Sequence, residues 1–210
     1  MEKLLSGCYK FNTWASRLEK QAEKYAKDVD GNDSSVDEKL INKYKGDGFE
    51  LFVEFFIRLF GGDILIQIYP YSYEIIDVSE DYGVDGKGIG DNGKVHTVQV
   101  KYRQSNYILS ANEDHLTNFT SLSFMPKESG GFGVDPNYKC PSKRKRIADK
   151  ANVTIIHSGK EIHYKTKDKM LSNVREINRK DIRNFVDDNH IFWDTFRESC
   201  LEARKNLLKE

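Results

Sequence analysis

Asp85-Gly-Lys-Gly-Ile-Gly-Asp-Asn-Gly-Lys-Val-His-Thr-Val-Gln-Val-Lys101 is the stretch on which the fold turns. Gly90-Asp91-Asn92-Gly93 supplies residues that tolerate positive φ, the requirement of a tight hairpin turn. The segment before it, opening at Val84, is extended, and Lys94 to Arg103 is the return strand. Side chains alternate along a strand, so Val95, Thr97, Gln99 and Lys101 share one face. Val98, Val100 and Tyr102 share the other, which is predicted to face the core. Upstream, Ile64-Leu-Ile-Gln-Ile-Tyr69 is rich in branched and aromatic residues and predicts another strand. Ahead of that strand, Phe49 to Phe60 is apolar around most of its circumference and predicts a buried helix, stopped by Gly61-Gly62. Gly46-Asp47-Gly48 punctuates the chain before it, with Asp47 as N-cap, and a short helix is expected over Val36 to Lys45. Asn12 to Asp28 predicts an amphipathic helix through Trp14, Leu18, Ala22 and Tyr25.

Downstream, Ser110 to Leu116 predicts a helix start with Ser110 as cap, and residues 125–141 are Gly- and Pro-rich without periodicity. Val153 to His157 is an apolar strand, Ser158-Gly159 a turn, and Glu161 to Lys165 a further extended piece. Helices are expected over Thr166 to Leu171, Arg179 to Asp188 and Phe192 to Leu208. The fold class is therefore α/β (α+β), a mixed central sheet flanked by helices. The organisation expected is a helical extension at 1–45, a core at 46–165 with a loop at 125–147, and C-terminal helices at 166–210 packed on that core.

Composition narrows the function classes. Lys plus Arg and Asp plus Glu each number 33 in 210 residues, so bulk attraction to nucleic acid is not the design. The charge is segregated along the chain: acids outnumber bases from Gly61 to His96, and bases outnumber acids from Lys101 to Lys150. Three cysteines, Cys8, Cys140 and Cys200, are odd in number and far apart, which points to no disulfide framework or zinc site. The longest apolar run, Leu51 to Phe60, is interrupted by Glu54 and Arg58, and no apolar signal core follows the first residues. A soluble, cytoplasmic protein with no membrane partner is expected. The histidines lack ligand spacing, no Gly-rich loop ends in Lys-Ser/Thr, and Gly83 to Gly90 does not match a dinucleotide fingerprint, so no nucleotide cofactor is expected.

Metal-assisted phosphodiester hydrolysis needs carboxylates to hold a divalent cation and a cationic side chain beside the attacking water. A hairpin brings these together when one strand opens on an acid and its partner carries a polar residue and a Lys two positions apart. Asp85, Gln99 and Lys101 fit that arrangement. Gly83, Gly86 and Gly88 leave room for a phosphate or metal to approach the backbone. Glu50, on the apolar helix, is a further carboxylate, and it also fits a capping-box partner of Asp47. Taken alone, Gln99 and Lys101 read as the solvated face of an edge strand; Asp85 and its glycines shift the reading to a site. Glu54 reads as a partly exposed salt-bridge residue.

Gly48-Phe49-Glu50, Tyr82-Gly-Val-Asp-Gly86 and Val98-Gln-Val-Lys101 together resemble the PD-(D/E)XK nuclease superfamily. The branch most similar has Gln-X-Lys as its last motif and includes type IV methyl-directed restriction endonucleases. Holliday-junction resolvases and phage homing endonucleases are relatives in that superfamily. The resemblance covers about residues 46–165 and implies a restriction-endonuclease-like core and a metal-dependent DNA endonuclease using Mg²⁺, with Mn²⁺ able to substitute. It implies Asp85 as central metal ligand, Lys101 as the residue that orients or activates water, and Glu50 as the helix acid. Gln99 departs from the commoner Asp or Glu, and an uncharged amide is a weaker magnesium ligand. The Val100 carbonyl is an additional candidate ligand.

The run Lys143, Arg144, Lys145 and Arg146 is the sharpest basic cluster. With Lys87 and Arg103, these four residues are expected to contact DNA phosphates. Two alternatives stand beside the nuclease reading. One is a DNA-binding or structure-recognition module with an inactive motif, which Gln99 keeps open. The other is the nuclease region of a larger helicase-nuclease, which Ile162-His-Tyr-Lys-Thr-Lys167 and Asn189-His-Ile-Phe-Trp193 resemble. Double-strand cleavage usually needs two sites, so a homodimer is expected, with Trp14 and the N-terminal helix as candidate contact surface.

Overall fold

The computed structural model describes residues 5–30, 37–60, 64–68, 84–90, 95–124, 153–170 and 174–207. The 125–147 loop, with Lys143, Arg144, Lys145 and Arg146, lies outside them, as do the turn at 91–94, Tyr82, Gly83 and Cys140. Helices are α1 (Phe11–Asp30), α2 (Glu38–Phe60), α3 (Leu116–Phe124), α4 (Tyr164–Lys169), α5 (Arg179–Val186) and α6 (His190–Leu207). Among the described residues, no helix is long and apolar enough to cross a membrane. Strands are β1 (Ile64–Ile68), β2 (Gly86–Gly90), β3 (Val95–Lys101), β4 (Ile108–Leu109), β5 (Val153–His157), β6 (Glu161–Ile162) and β7 (Val174–Ile177). The main sheet has the order β1-β2-β3-β5-β7. Its first three strands are antiparallel neighbours, and β5 and β7 continue it in parallel. A two-stranded parallel sheet, β4-β6, lies apart from it. The class is mixed α and β, as expected.

Apolar surface fills both faces of the sheet. On one, Val98, Val100 and Ile156 pack with Phe11, Trp14, Phe49, Phe52, Trp193 and Phe196 from α1, α2 and α6. On the other, Val153 and Ile155 pack with Leu109, Leu116, Phe119 and Ile162. β3 therefore has no solvated face: Thr97 and Gln99 are as fully buried as Val98. The edge-strand reading of Gln99 gives way for that reason. Trp14 belongs to the first cluster, its ring tilted against Phe52 with centroids 4.6 Å apart, and is 1% exposed. It is a core residue and so is no part of a dimer surface, while α1 still exposes its polar face.

Three local expectations change. Gly46-Asp47-Gly48 does not break the chain, because α2 runs through it. Each helical glycine costs about 1 kcal/mol against Ala, but burying Phe49, Phe52, Val53, Phe56 and Ile57 on the same helix contributes roughly 1.5–3 kcal/mol per side chain. Gly48 also has a packing purpose, since a Cβ there would lie 2.6 Å from Leu18 Cδ1 on α1. The 110–115 segment is a turn, with α3 starting only at Leu116. There Asp114 turns inward to accept from Ser110 N and Arg103 Nε instead of joining a first helical turn. β7, which pairs with β5, was not anticipated. The divisions at 45/46 and 165/166 fall inside α2 and α4, and α1 and α6 share one core with β3.

The turn after β5 is tight. A Cβ on Gly159 would meet Tyr107 O at 2.9 Å and Leu109 Cδ1 at 3.0 Å, and backbone cannot yield as a side-chain tip can. Gly159→Ala is expected to destabilise the fold by about 1–3 kcal/mol, as overpacking does elsewhere. A thermal melt checks this, and an unchanged Tm contradicts it.

Candidate active site

Asp85 immediately precedes β2, where the β2–β3 ladder runs out. Its N–H donates to Val98 O at 3.0 Å. Its carboxylate Oδ2 accepts from Val100 N at 2.5 Å. The side chain thus closes the ladder where a backbone carbonyl would otherwise do so, and this fixes the carboxylate against β3. A strand residue sends its N–H and C=O to the same side, so the Val100 carbonyl also looks toward β2. Gly86, opposite Val98 in the register, adds no side chain beside Asp85.

Glu50 reaches the same place from α2. Burial pushes its pKa up first, the negative charges of Asp85 and Asp47 push it further, and Lys101 and Lys43 oppose them, leaving it at about 8. Three residues expected to act together, Glu50, Asp85 and Lys101, are therefore electrostatic neighbours although they come from three separate elements. Asp47 lies inside α2, where Lys43 Nζ holds its carboxylate at 2.9 and 3.2 Å. It is not an N-cap, so the capping-box reading of Glu50 falls away. Glu54, one turn on, is paired with Arg58 as the salt-bridge reading expected, but it is buried where partial exposure was expected.

Gln99 sits on the opposite face of β3 from Val98 and Val100, beside Ile155 in the register. Its neighbour Thr97 has a hydroxyl partner, Ser123, at 2.7 Å. Gln99 has neither donor nor acceptor satisfied among the described residues, and it is 0% exposed. An unmet buried polar group costs about 1–3 kcal/mol, and such a group calls for an ion or water to explain it. Among the described residues no group of three or more His, Cys, Asp and Glu is close enough to hold a metal. The expected donor set is instead two carboxylates, an amide and a backbone carbonyl, with the Gln99 amide on the other face of β3 from Val100. An oxygen-only set of that kind suits a hard cation such as Mg²⁺ over zinc.

The candidate phosphate contacts fare differently. Arg103 is tied into the fold: Nε and the outer nitrogen bind Asp114 at 2.8 and 2.6 Å, and its other nitrogen donates to Tyr102 O at 2.8 Å. It braces the loop after β3, a structural role that stands beside the expected phosphate contact. The Lys87 backbone pairs with Thr97 on β3. Lys143, Arg144, Lys145 and Arg146 lie outside the described residues.

A polar network that sequence reasoning missed adjoins the site. His157, register partner of Lys101, is fully buried with its Nε2 3.1 Å from Glu176 Oε1. Lys167 Nζ lies 2.6 Å from the other Glu176 oxygen, and Ile162 N donates to the first at 2.8 Å. Burial raises the Glu176 pKa, but hydrogen bonds from His157, Lys167 and Ile162, with the Lys167 charge, outweigh it and bring it to about 2. Its only sequence signal was a His ending an apolar strand, and its partner stands on the unanticipated β7. No family model, curated protein or solved structure matches the chain.

Proposed function

We propose that the chain is a metal-dependent DNA endonuclease with a restriction-endonuclease-like core, hydrolysing phosphodiester bonds through a metal-activated water. The observation that carries this reading is the Asp85 carboxylate held by Val100 N at the end of β3, with Glu50 coupled electrostatically to Asp85 and Lys101. The strand arrangement supports it: an antiparallel hairpin bearing the site, followed by α3 and a parallel strand, is the order that the sequence motifs imply. Asp85, Glu50, the Gln99 amide oxygen and the Val100 carbonyl would hold Mg²⁺ or Mn²⁺. The ion's chemistry there is to lower the pKa of bound water and to neutralise charge on the phosphate. Asp85 contributes a carboxylate already aimed by Val100 N. Glu50 gives up its proton as a cation arrives and so couples binding to pH. Lys101, electrostatically coupled to Glu50, would orient the attacking water and offset the charge that develops on phosphate oxygen.

The test is conversion of supercoiled plasmid by the wild-type chain with Mg²⁺, Mn²⁺ or EDTA. Nicked or linear product in metal alone supports the proposal. No conversion in either metal, with DNA still retarded in a gel, sinks it in favour of a DNA-binding module.

Gln99 is the observation that favours that second reading, because its neutral amide is a weak ligand. Gln99→Glu and Gln99→Leu separate the two. As a metal site, Gln99→Glu raises divalent affinity by roughly tenfold or more, since ligand charge tunes such sites, while Gln99→Leu lowers it. As a binding module, neither substitution alters the divalent response, and Gln99→Leu simply stabilises the chain by removing an unmet amide. Calorimetric titration with Mn²⁺ reads the difference.

A further inference from the structure

We propose that a cleft beside the candidate active site takes one nucleobase turned out of a DNA strand and recognises it through an exocyclic amino group. This rests on the DNA reading above. The cleft has a volume of about 490 Å³ and lies between α1, α2, the loop after β3 and the start of α5. That is within the range of small-molecule sites, roughly 300–1,000 Å³. Its wall reaches the loop that leaves β3 at the end where Asp85 lies: Gln104, on that wall, follows Lys101 by three residues. Lys45, also on its wall, precedes Glu50 on α2 by about 7.5 Å of helix rise. A base leaving the stack next to a phosphate at Lys101 would have only a short distance to travel.

The lining selects the ligand. Glu19 and Glu23 line the cleft from α1 and Lys45 and Arg179 balance their charge, so a neutral ligand that carries a hydrogen-bond donor is favoured. Tyr102 OH donates to Glu19 Oε1 at 2.9 Å, which holds that carboxylate in one orientation. A carboxylate is the natural acceptor for a base amino group, and the Gln104 amide can bond a second position on the same edge. Arg179 supplies a flat platform. Its guanidinium lies 5.1 Å from the Phe11 ring centroid, and its edges donate to Asn12 Oδ1 and Ser158 O, both at 3.0 Å. With one face on Phe11 and its edges tied, that plane is fixed, and extruded bases stack on such guanidinium planes. The stacking and amino contacts offset an unstacking cost of a few kcal/mol, which is smallest for a base already unpaired.

The experiment uses the full chain in EDTA, where cleavage plays no part. Fluorescence anisotropy compares labelled duplexes that are fully paired, or carry one bulged cytosine, adenine or thymine. The wild type is expected to bind bulged cytosine and adenine roughly tenfold more tightly than the paired duplex, the scale of one good base contact. Bulged thymine, without an amino group, should gain less. Glu23→Gln and Gln104→Ala change exposed residues outside the core clusters. They should erase the preference while leaving paired-duplex affinity and the thermal melt unchanged. Equal binding of bulged and paired DNA, or a preference that survives both substitutions, overturns the pocket while plasmid cleavage still stands. Binding to none of the duplexes overturns the pocket and the DNA reading together.

Discussion

Asp85→Asn is expected to lower DNA cleavage by about a thousandfold or more while leaving the fold in place. The asparagine keeps an oxygen where Val100 N donates, so the ladder end stays closed. The expected stability change is within about 1 kcal/mol, the worth of one hydrogen bond. The negative charge is lost, however, and with it the carboxylate closest to β3 that would hold a divalent ion. Mn²⁺ calorimetry should show affinity falling with the rate, because catalysis of this kind depends on the ion staying bound. A variant that melts normally, binds Mn²⁺ as the parent does and still cuts would remove Asp85 from the site.

Glu50 sets the second large effect. Its ordinary pKa of 4.5 is raised to about 8 in the fold, chiefly by burial and then by Asp85. Below pH 4.5 both folded and unfolded chains hold the proton. Between 4.5 and 8 the folded chain keeps it and the unfolded chain releases it, so folding takes up a proton. Stability without metal must therefore fall as pH rises through that window and level off above it. The slope is at most about 1.4 kcal/mol per pH unit. Glu50→Gln has no such proton to hold, so its melting temperature in EDTA should exceed that of the parent at about pH 8 and match it near pH 4.5. A divalent ion favours the carboxylate, so its stabilising effect on the parent should grow with pH up to about 8. Parallel pH profiles for parent and Glu50→Gln would contradict the buried, Asp85-coupled Glu50.

How far the chain could be read in advance varies with the range of the forces involved. Period-two alternation placed Val98 and Val100 inward and Gln99 and Lys101 together, because strand geometry is local. The hairpin and the strand at Val153 followed from turn chemistry and branched residues, whereas the parallel pairing of that strand with β3 did not. Gly46-Asp47-Gly48 misled because local propensity breaks a helix there, whereas Leu18 of α1 needs the space that Gly48 leaves. Nothing near Gln99 revealed that its face would be covered, since the covering residues, Leu116, Phe119 and Ile155, come later in the chain. The His157–Glu176–Lys167 network was unreadable for the same reason: it joins a strand end, β7 and α4, which only the folded topology brings together.

The most direct measurement is the rate at which wild-type chain, Asp85→Asn and Lys101→Ala cut supercoiled plasmid in Mg²⁺, with each variant's melt recorded alongside. The account predicts metal-dependent cutting by the wild type and its loss, by about a hundredfold or more, in both variants with folding preserved. Cutting that survives both substitutions would contradict a site at Asp85 and Lys101, and a wild type that never cuts would contradict the nuclease itself.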